Sequence, residues 1–330
     1  MTTDPSSADA ASGSEFDIVA TYNKILSDQP ELTKTVVAMK ALHALLEATP
    51  ASTAHETIKI LTAGQAQLAS NIRYPKAPLA GSQYFLLFVR QRLKESDGDF
   101  AVVRRNLLTK GVEYIDKAVE ARAAVGLMGH HYVVNAFTVL TYGASRTVLA
   151  VLEHAAAAGR NFKVIYVRDD YGKNGQQESD DYVARLRAAG IPTAAVKFSA
   201  ALHAVKTLKP RVNRVFLGGE VICQNGGMVG RMGSCMIAQA AAHCNIEVFL
   251  CGEMHKFSNY HATRLSDVGW PQNIKVFTTD EPEQQQQPDQ DDLLEFTPGE
   301  FISRIVTENG VYPSNHVVRI IIETFGTLQP

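Results

Sequence analysis

The first part of the chain carries apolar residues at helical spacing. Between Leu32 and Leu46 they recur every three or four positions, and Pro50 ends the run. Comparable stripes of aliphatic and aromatic residues continue to about residue 125, with almost no pattern typical of strands. The first fifteen residues are instead rich in Ser and Ala and show no apolar periodicity. The pattern therefore predicts a disordered tail over residues 1–15 and a helical domain over residues 16–125.

From residue 126 onward, short apolar runs alternate with helical segments. The candidate strands are Phe137–Leu140, Phe162–Val167, Thr193–Val196, Arg214–Leu217 and Glu247–Cys251. Helices are predicted between them from Ser145 to Ala158 and from Asp180 to Ala189. Strands that alternate with helices form parallel sheets with helices packed on their faces. We therefore expect the α/β class, with the N-terminal helical domain followed by a Rossmann-like parallel sheet domain over residues 126–330.

The end of the chain holds three further predicted features. Residues 281–292, EPEQQQQPDQDD, are charged and rich in Gln and Pro, so they are expected to form an exposed loop. Thr297 precedes a proline and is followed three residues later by Glu300, a pattern that favours a helix ending near Asn309. A last helix is expected after Ser314. Its apolar residues cover more than one face, which predicts burial against the sheet or against a second subunit.

The segment from Gly218 to Ser234, GGEVICQNGGMVGRMGS, lies between a predicted strand and a predicted helix. Its glycines allow backbone N–H groups to approach a ligand closely, and the start of the helix adds donors that have no intrahelical acceptor. This combination favours an anion pocket, with phosphate as the expected ligand. A glycine-rich turn that merely closes the helix onto the sheet accounts for the glycines equally well. The spacing matches neither a Walker A loop nor a dinucleotide-binding fingerprint.

Three polar segments follow predicted strands, at residues 141–146, 199–200 and 218–220. Ligands of parallel sheets bind at the carboxyl ends of the strands, so these segments are expected to meet at one crevice. A guanidinium group can form two parallel hydrogen bonds to phosphate oxygens, whereas carboxylate and amide groups can form hydrogen bonds with hydroxyl groups of a ligand. The candidate ligand residues are Gly143, Ser145, Arg146, Glu220, Asn225, Gly226, Gly227 and Arg231. The alternative for either arginine is a solvated surface charge.

The composition narrows the class of protein. The chain has 330 residues, 45% of them hydrophobic, which is enough for two domains with cores of their own. A formal net charge of -2 provides no general attraction to nucleic acid or to an anionic membrane, and no apolar run is long enough to span a bilayer. The four cysteines form no C-x-x-C pair, which indicates reduced thiols and no zinc site. We expect a cytosolic protein that binds neither nucleic acid nor membranes directly and needs no metal or cofactor.

Several segments carry a resemblance to a known family. They are LTYGASRTVLAVLE at residues 140–153, AAGIPTAAVKFSAAL at 188–202, the glycine-rich segment at 218–234 and GEMHKF at 252–257. Together with the order of helical domain and sheet, they resemble the alpha subunits of eukaryotic translation initiation factor 2B. The same fold and glycine-rich segment belong to two sugar-phosphate isomerases, which act on methylthioribose 1-phosphate and on ribose 1,5-bisphosphate.

The resemblance implies a regulatory subunit of a guanine nucleotide exchange complex in which another subunit catalyses exchange. It implies a homodimer that bridges two tetramers of beta, gamma, delta and epsilon subunits. It also implies that the helical domain contacts the phosphorylated alpha subunit of initiation factor 2, so that exchange is inhibited under stress. Lys34, Lys40 and Arg73 are candidates for this contact, because basic side chains bind phosphate. The closing helix is the candidate dimer surface, since an isologous contact needs a self-complementary patch.

The isomerase alternative depends on a paired acid and base, which are needed to move a carbonyl between two sugar carbons. The resemblance places the isomerases' cysteine at Gly143 and their aspartate at Glu220, and glycine offers neither an acid nor a nucleophile. Their N-G-D segment is N-G-G here, with Gly227 in the acidic position. These departures predict a vestigial pocket for a sugar phosphate or a nucleotide monophosphate. A thiol relocated to Cys223 or Cys235 remains open as an alternative.

Overall fold

The computed structural model describes residues 16–96, 98–169, 175–207, 211–272, 274 and 293–325. The predicted tail at 1–15 and the predicted loop at 281–292 lie outside these residues. Within the described chain, no helix is both long and apolar enough to cross a membrane. The same residues contain no cluster of His, Cys, Asp and Glu side chains suited to a metal ion.

Helices make up the N-terminal part, as predicted. They are α1 (Ile18–Asp28), α2 (Lys34–Ala48), α3 (Ala54–Asn71), α4 (Lys76–Lys94) and α5 (Phe100–Gly129). Polar N-caps determine where several of them begin. The side-chain oxygens of Thr33, Thr53 and Asp99 accept backbone N–H bonds from the first turns of α2, α3 and α5. Helix α2 lies at the centre of this part and packs against the other four helices.

Strands and helices alternate in the remainder of the chain. The strands are β1 (Thr138–Tyr142), β2 (Lys163–Val167), β3 (Thr193–Val196), β4 (Arg214–Gly218), β5 (Val221–Cys223), β6 (Met228–Arg231), β7 (Glu247–Cys251), β8 (Phe257–Ser258), β9 (Leu294–Thr297), β10 (Arg304–Thr307) and β11 (Gly310–Tyr312). The helices are α6 (Arg146–Ala157), α7 (Gly175–Ala188), α8 (Ala201–Lys206), α9 (Ser234–His243) and α10 (Val317–Phe325). All five strands and the closing helix predicted from the sequence are present.

A seven-stranded sheet has the order β11-β10-β7-β4-β1-β2-β3. Its neighbouring strands are parallel except for the antiparallel pair β10–β11. Strand β1 is central, with Thr141 opposite Tyr166 on one side and Phe216 on the other. The expected Rossmann-like sheet is therefore confirmed, and β1 and β4 end side by side at one edge.

Alternate residues of the central strands enter two different cores. On β1, Val139 packs in a cluster with residues of α6 and α7, whereas Leu140 packs in a second cluster with residues of α8 and α9. This second cluster also includes side chains of α2, such as Met39 and Leu42. The helical part and the sheet therefore share one continuous core.

The glycine-rich segment is not a loop throughout, contrary to the simplest interpretation of its sequence. It contains the antiparallel hairpin β5–β6, which joins β8 and β9 in a separate four-stranded sheet of order β8-β5-β6-β9. The side chains of Val221, Cys223 and Val229 are buried under Tyr74 and Phe296. The glycines obscured these short apolar strands in the sequence pattern.

The helix predicted from Thr297 to Asn309 is wrong. One turn of 3-10 helix covers Gly299–Phe301, and the hairpin β10–β11 follows. Strand β10 extends the sheet beside β7, where Ser303 N–H donates to Val248 O and Ser303 Oγ accepts from Val248 N–H. Its β-branched residues suit a pleated edge, so pairing with β7 overrides the local capping signal.

Candidate functional site

A cavity of about 570 Å³ opens at the carboxyl ends of β1 and β4. Its walls include the turn from β1 to α6, the turn from β4 to β5, and the loop that joins α1 to α2, and side chains of α5, α7 and β6 add to the lining. This is the place where parallel sheets bind their ligands. The lining includes the predicted residues Gly143, Ser145, Arg146, Glu220 and Arg231.

The turn from β1 to α6 brings backbone N–H groups to the cavity. Gly143 and Ala144 both have positive φ angles, of 78° and 47°, so the chain reverses sharply before the helix. Ser145 is the N-cap of α6, and its Oγ accepts from Val148 N–H at 3.3 Å. A Cβ on Gly218 would lie 2.0 Å from Ser145 Oγ, so only glycine allows β4 to approach this turn. The helix start therefore offers a positive dipole end at the cavity wall.

Arg231 lies at the end of β6 and is already paired with acidic side chains. Its Nη1 is 2.6 Å from Asp169 Oδ2, and its Nη2 is 2.8 Å from Glu178 Oε2. The side chain is only 16% exposed. The sequence-based expectation of a phosphate ligand is compatible with this position, but a phosphate there would share the guanidinium with two carboxylates.

Glu220 forms an ion pair with a residue predicted for a different role. Lys34 Nζ lies 3.0 Å from Glu220 Oε2, across the cavity between α2 and the turn after β4. Burial alone would raise the pKa of Glu220, but the charge and hydrogen bond of Lys34, helped by Lys256, outweigh it and lower the pKa. Glu220 is therefore ionised at neutral pH.

Arg146 is directed towards the loop between α1 and α2. Its Nη1 donates to Pro30 O at 2.5 Å, and its Nη2 donates to Leu32 O at 3.3 Å. The other two residues proposed for a partner contact lie elsewhere. Lys40 Nζ donates to Gln29 Oε1 at 2.8 Å, and the Arg73 guanidinium lies 5.1 Å from the ring centre of Tyr74.

The structure places Asn225, Gly226 and Gly227 in the β5–β6 turn, outside the lining of this cavity. Asn225 Nδ2 donates to Ala262 O at 2.5 Å. A Cβ on Gly226 would lie 2.3 Å from Ser314 O, and one on Gly227 would lie 2.4 Å from the ring of Phe296. Close packing of the turn therefore explains these glycines.

The start of α9, which the sequence suggested as an anion site, is occupied by the protein itself. Glu295 Oε1 accepts from Gly233 N–H at 2.8 Å and from Cys235 N–H at 2.7 Å. Burial raises the pKa of Glu295 although these two bonds lower it. A carboxylate from β9 therefore takes the position at α9 that a phosphate was expected to take.

Sequence reasoning missed a buried ionic group behind the cavity. Glu253 is 1% exposed, and its Oε2 lies 2.8 Å from Lys256 Nζ. Its Oε1 accepts from Thr147 Oγ1 at 3.0 Å and lies 3.8 Å from Arg122 Nε. Glu253 and Lys256 belong to the GEMHKF segment, which carried the family resemblance without an assigned role.

None of the four cysteines lines the cavity. Burial raises the pKa of Cys223 to about 12 and that of Cys235 to about 11. Both thiols are therefore protonated at neutral pH, and the relocated thiol that the sequence left open has no support in this arrangement.

The fold and the cavity define the class: a helical domain joined to a Rossmann-like sheet, with a ligand-sized cavity at the carboxyl ends of the strands. The chain belongs to the Initiation factor 2 subunit family, whose family model matches residues 27–314. It is 25% identical over 324 residues to translation initiation factor eIF2B subunit alpha of Dictyostelium discoideum, covering 94% of this chain and 98% of that protein. It is 26% identical to ribose 1,5-bisphosphate isomerase of Pyrococcus furiosus, covering 87% of each.

Solved structures show the same fold. The tetrameric eIF2B-beta2-delta2 complex from C. thermophilum contains a chain that matches with a TM-score of 0.73 and 19% identity, covering 94% of this chain and 96% of that one. The eIF2B beta structure from Chaetomium thermophilum matches with a TM-score of 0.69 and 19% identity, covering 96% of both.

Proposed function

We propose that this chain is an alpha-type regulatory subunit of the translation initiation factor 2B exchange complex and is not itself an enzyme. In this proposal it works in the cytosol, forms a homodimer, and bridges two assemblies of beta, gamma, delta and epsilon subunits. It also contacts the phosphorylated alpha subunit of initiation factor 2 and retains a vestigial pocket for a sugar phosphate or nucleotide monophosphate. The near full-length similarity to an eIF2B alpha subunit supports this role.

The observation that carries the proposal is the state of the acid–base groups at the cavity. An aldose–ketose isomerase needs one group to donate a proton and another to accept it. Gly143 supplies no side chain at the β1–α6 turn, and Lys34 holds Glu220 in its ionised form. An ionised carboxylate can accept a proton, but within the cavity lining no cysteine thiol complements it.

Sugar-phosphate isomerisation remains the second candidate because a specific observation favours it. Ribose 1,5-bisphosphate isomerase of Pyrococcus furiosus matches this chain over 87% of both proteins. Glu220 also lies in the cavity with basic side chains around it. The isolated protein should then convert ribose 1,5-bisphosphate, and Glu220→Gln should abolish the conversion.

Sedimentation separates the two candidates. The chain is mixed with purified beta, gamma, delta and epsilon subunits, and the mass of the complex is measured by analytical ultracentrifugation with and without it. A regulatory subunit should convert the tetramer to a decamer and show no turnover of sugar phosphate alone. Failure to associate, with turnover by the isolated protein, would select the isomerase.

The dimer surface that we propose lies on α10. Val318 and Ile322 are one helical turn apart and are 40% and 39% exposed, although Val317 and Ile321 of the same helix are buried. Val318→Asp should therefore convert the dimer to a monomer without loss of the folded state, as measured by sedimentation and circular dichroism. A variant that remains dimeric would remove α10 from the interface.

The contact with the phosphorylated partner is tested at Lys40. Lys34 is a poor test residue because its reversal would also break the pair with Glu220. Lys40→Glu should leave the decamer intact but weaken inhibition of nucleotide release by the phosphorylated partner several-fold, because the new carboxylate repels phosphate. Lys163→Glu, at the exposed start of β2, is the matched control and should inhibit normally. Normal inhibition in both variants would exclude Lys40 from the contact with the phosphorylated partner.

A further inference from the structure

The turn between β10 and β11 places a carboxyl group against another turn of the sheet domain. Glu308 is half-buried, and its Oε1 and Oε2 accept from Met254 N–H at 3.1 Å and 2.9 Å. Met254 begins a turn of 3-10 helix that ends at Lys256. This contact therefore joins the tip of the β10–β11 hairpin to the turn at residues 254–256.

The charge of Glu308 has little compensation. Among the described residues, no basic side chain forms an ion pair with it. The nearby Lys256 places its Nζ 2.8 Å from Glu253 Oε2, and Arg122 lies 3.8 Å from the other oxygen of Glu253. The cations of this region are therefore paired with Glu253, which leaves Glu308 as a second carboxyl group beside the same turn.

Two tyrosines of the helical part lie near this carboxyl group. Tyr84 on α4 is 6% exposed, and the hydroxyl of Tyr114 on α5 donates to Tyr84 O at 3.4 Å. Burial raises the pKa of both phenols, and the charge of Glu308 adds to the rise in each. A Cβ on Gly129 of α5 would lie 3.2 Å from Val306 of β10, so the hairpin packs closely on this helix. Glu308 therefore lies where α4, α5, β10 and the turn at 254–256 meet.

Burial makes the ionised form of Glu308 costly. It raises the pKa of Glu308 to about 7, although the backbone N–H groups of Glu308 and Met254 oppose the rise. The charge of Glu253 adds to the rise, and that of Lys256 opposes it. The carboxyl group is therefore divided between its neutral and charged forms at neutral pH.

The neighbouring groups keep one charge state in this range. The charges of Lys256 and His255 hold the pKa of Glu253 at about 2 against the effect of its burial. Burial lowers the pKa of His255 to about 4 and raises that of Tyr114 to about 12. A change of charge at this contact near neutral pH therefore belongs to Glu308.

We propose that Glu308 is a proton-dependent latch between the β10–β11 hairpin and the turn at residues 254–256. The neutral carboxyl stays in the contact and accepts from Met254 N–H. The carboxylate turns out into solvent, because no paired cation holds it in place and Glu253 repels it. The turn that carries Glu253 then loses an anchor, so the helical part is held less firmly on the sheet. This latch does not depend on the proposed function.

Bonds within the hairpin keep it folded when the latch opens. Thr307 Oγ1 donates to Gly310 O at 3.0 Å and accepts from Asn309 N–H at 3.2 Å. The hydroxyl of Tyr312 donates to Asn309 O at 3.1 Å, and the two strands remain paired. We therefore expect opening to be confined to the contact between the hairpin and residues 254–256.

The raised pKa of Glu308 determines the direction of the pH dependence. The protonated carboxyl stabilises the closed contact fully below pH 4.5, and this contribution is lost as the pH rises through about 7. The released carboxyl is assigned the ordinary pKa of 4.5. The equilibrium should then shift towards the open contact by about tenfold between pH 6 and pH 8.5.

Hydrogen exchange of the full chain measures this opening. Backbone exchange is followed by mass spectrometry at pH 6 and pH 8.5, and each rate is divided by the rate of an unstructured peptide at the same pH. This ratio isolates the protection that comes from structure. Protection over residues 254–257 should fall about tenfold in the wild type from pH 6 to pH 8.5, whereas that of α3 and of the β10–β11 pair should stay unchanged.

Three variants assign the effect to the latch. Glu308→Gln is permanently neutral and keeps an oxygen that accepts from Met254 N–H, so protection over 254–257 should be high at both pH values. Glu308→Asp is one methylene shorter and loses the contact, so protection should be low at both. Glu120→Gln, at an exposed position on α5, is the matched control and should show the pH dependence of the wild type.

Each result supports or overturns the latch. Equal protection at pH 6 and pH 8.5 in the wild type would overturn it, and so would a Glu308→Gln variant with the pH dependence of the wild type. Urea denaturation is a second readout, in which Glu308→Gln should gain stability relative to the wild type as the pH rises from 6 to 8.5. A constant difference between the two would mean that Glu308 does not change charge in the fold over this range.

Discussion

Gly227 directly precedes strand β6, and Gly230 lies within that strand. The structure requires glycine only at position 227. A Cβ on Gly227 would lie 2.4 Å from the Phe296 ring and 2.6 Å from Thr297 O. A Cβ on Gly230 would meet its nearest atom, Gly218 O, at 3.4 Å, an ordinary contact. Only the second of these glycines lines the cavity.

This difference predicts that alanine mainly lowers stability at position 227 and mainly affects ligand binding at position 230. Gly227→Ala should lower the free energy of unfolding by about 1–3 kcal/mol because the turn is overpacked, and it should leave phosphate affinity unchanged. Gly230→Ala should cost less stability, but if the cavity binds phosphate as we propose, the added methyl group in its lining should weaken that binding. Urea denaturation and calorimetry on both variants check this, and a loss of phosphate affinity confined to Gly227→Ala would return the β5–β6 turn to the ligand site.

The arginines show how far residue types predict roles. Arg146 and Arg231 were selected because guanidinium groups suit phosphate, and both do line the cavity. Their present partners were not predictable, since Asp169 is 62 residues from Arg231 and Pro30 is 116 residues from Arg146 along the chain. The guanidinium chemistry therefore indicated that these arginines line the cavity. Which groups accept their hydrogen bonds depended on residues far away in the sequence.

At the level of elements, the start of α9 depends on a carboxylate from another strand. Glu295 of β9 supplies the acceptor that the helix lacks locally, because Gly233 at the N-cap has no side chain. The arrangement also ties the four-stranded sheet to the helix that packs on the larger sheet.

Removal of this cap should destabilise the protein. Glu295→Ala leaves the N–H groups of Gly233 and Cys235 without an acceptor and should lower the free energy of unfolding by about 1–2 kcal/mol. Glu295→Gln retains an acceptor oxygen and serves as the control, with a smaller loss. Equal losses in both variants, measured by urea denaturation, would show that the negative charge rather than the acceptor stabilises α9.

At the level of the whole molecule, Glu253 joins three parts of the fold. It contacts Arg122 of α5, Thr147 of α6 and Lys256 of its own loop. Burial alone would raise the pKa of Glu253, but the charges of Lys256 and His255 outweigh it and hold the pKa at about 2. The group is therefore ionised throughout the neutral range, where it holds the helical part against the sheet.

The depressed pKa of Glu253 predicts the direction of its pH dependence. Because the folded pKa lies below the usual 4.5, ionised Glu253 stabilises the fold fully above pH 4.5, and this contribution is lost as the pH falls towards 2. Glu253→Gln leaves Lys256 buried without its partner and should cost about 3–5 kcal/mol at pH 7. The difference in free energy of unfolding between the variant and the wild type should narrow as the pH falls below 4.5. Urea denaturation between pH 7 and pH 3 measures this difference.

The control for this experiment is an exposed ion pair with the same distance between its nitrogen and oxygen atoms. Lys110 Nζ lies 2.8 Å from Glu113 Oε2, with both side chains 51% exposed, so Glu113→Gln should cause no measurable loss. A pH-independent gap for Glu253→Gln would mean that packing rather than the ion pair accounts for its effect.

The sequence by itself determined the elements whose signals are local. Apolar periodicity and polar N-caps such as Thr33 and Thr53 predicted the helical part, and buried apolar runs predicted the five parallel strands, because both signals arise within a few turns or residues of one segment. The rule that ligands bind at strand ends then brought Gly143, Ser145 and Glu220 to one cavity.

Only the tertiary structure decided what depends on contact between distant segments. Pairing with β7 made residues 304–307 a strand where a capping signal favoured a helix. Packing against Phe296 and Ser314 made Gly226 and Gly227 structural, and Glu295 occupied the helix start that was expected to receive phosphate. The pairing of Lys34 with Glu220, 186 positions later in the sequence, likewise follows from the docking of the helical part on the sheet. Such contacts form between groups that have no fixed spacing along the chain, so no periodicity or local motif encodes them.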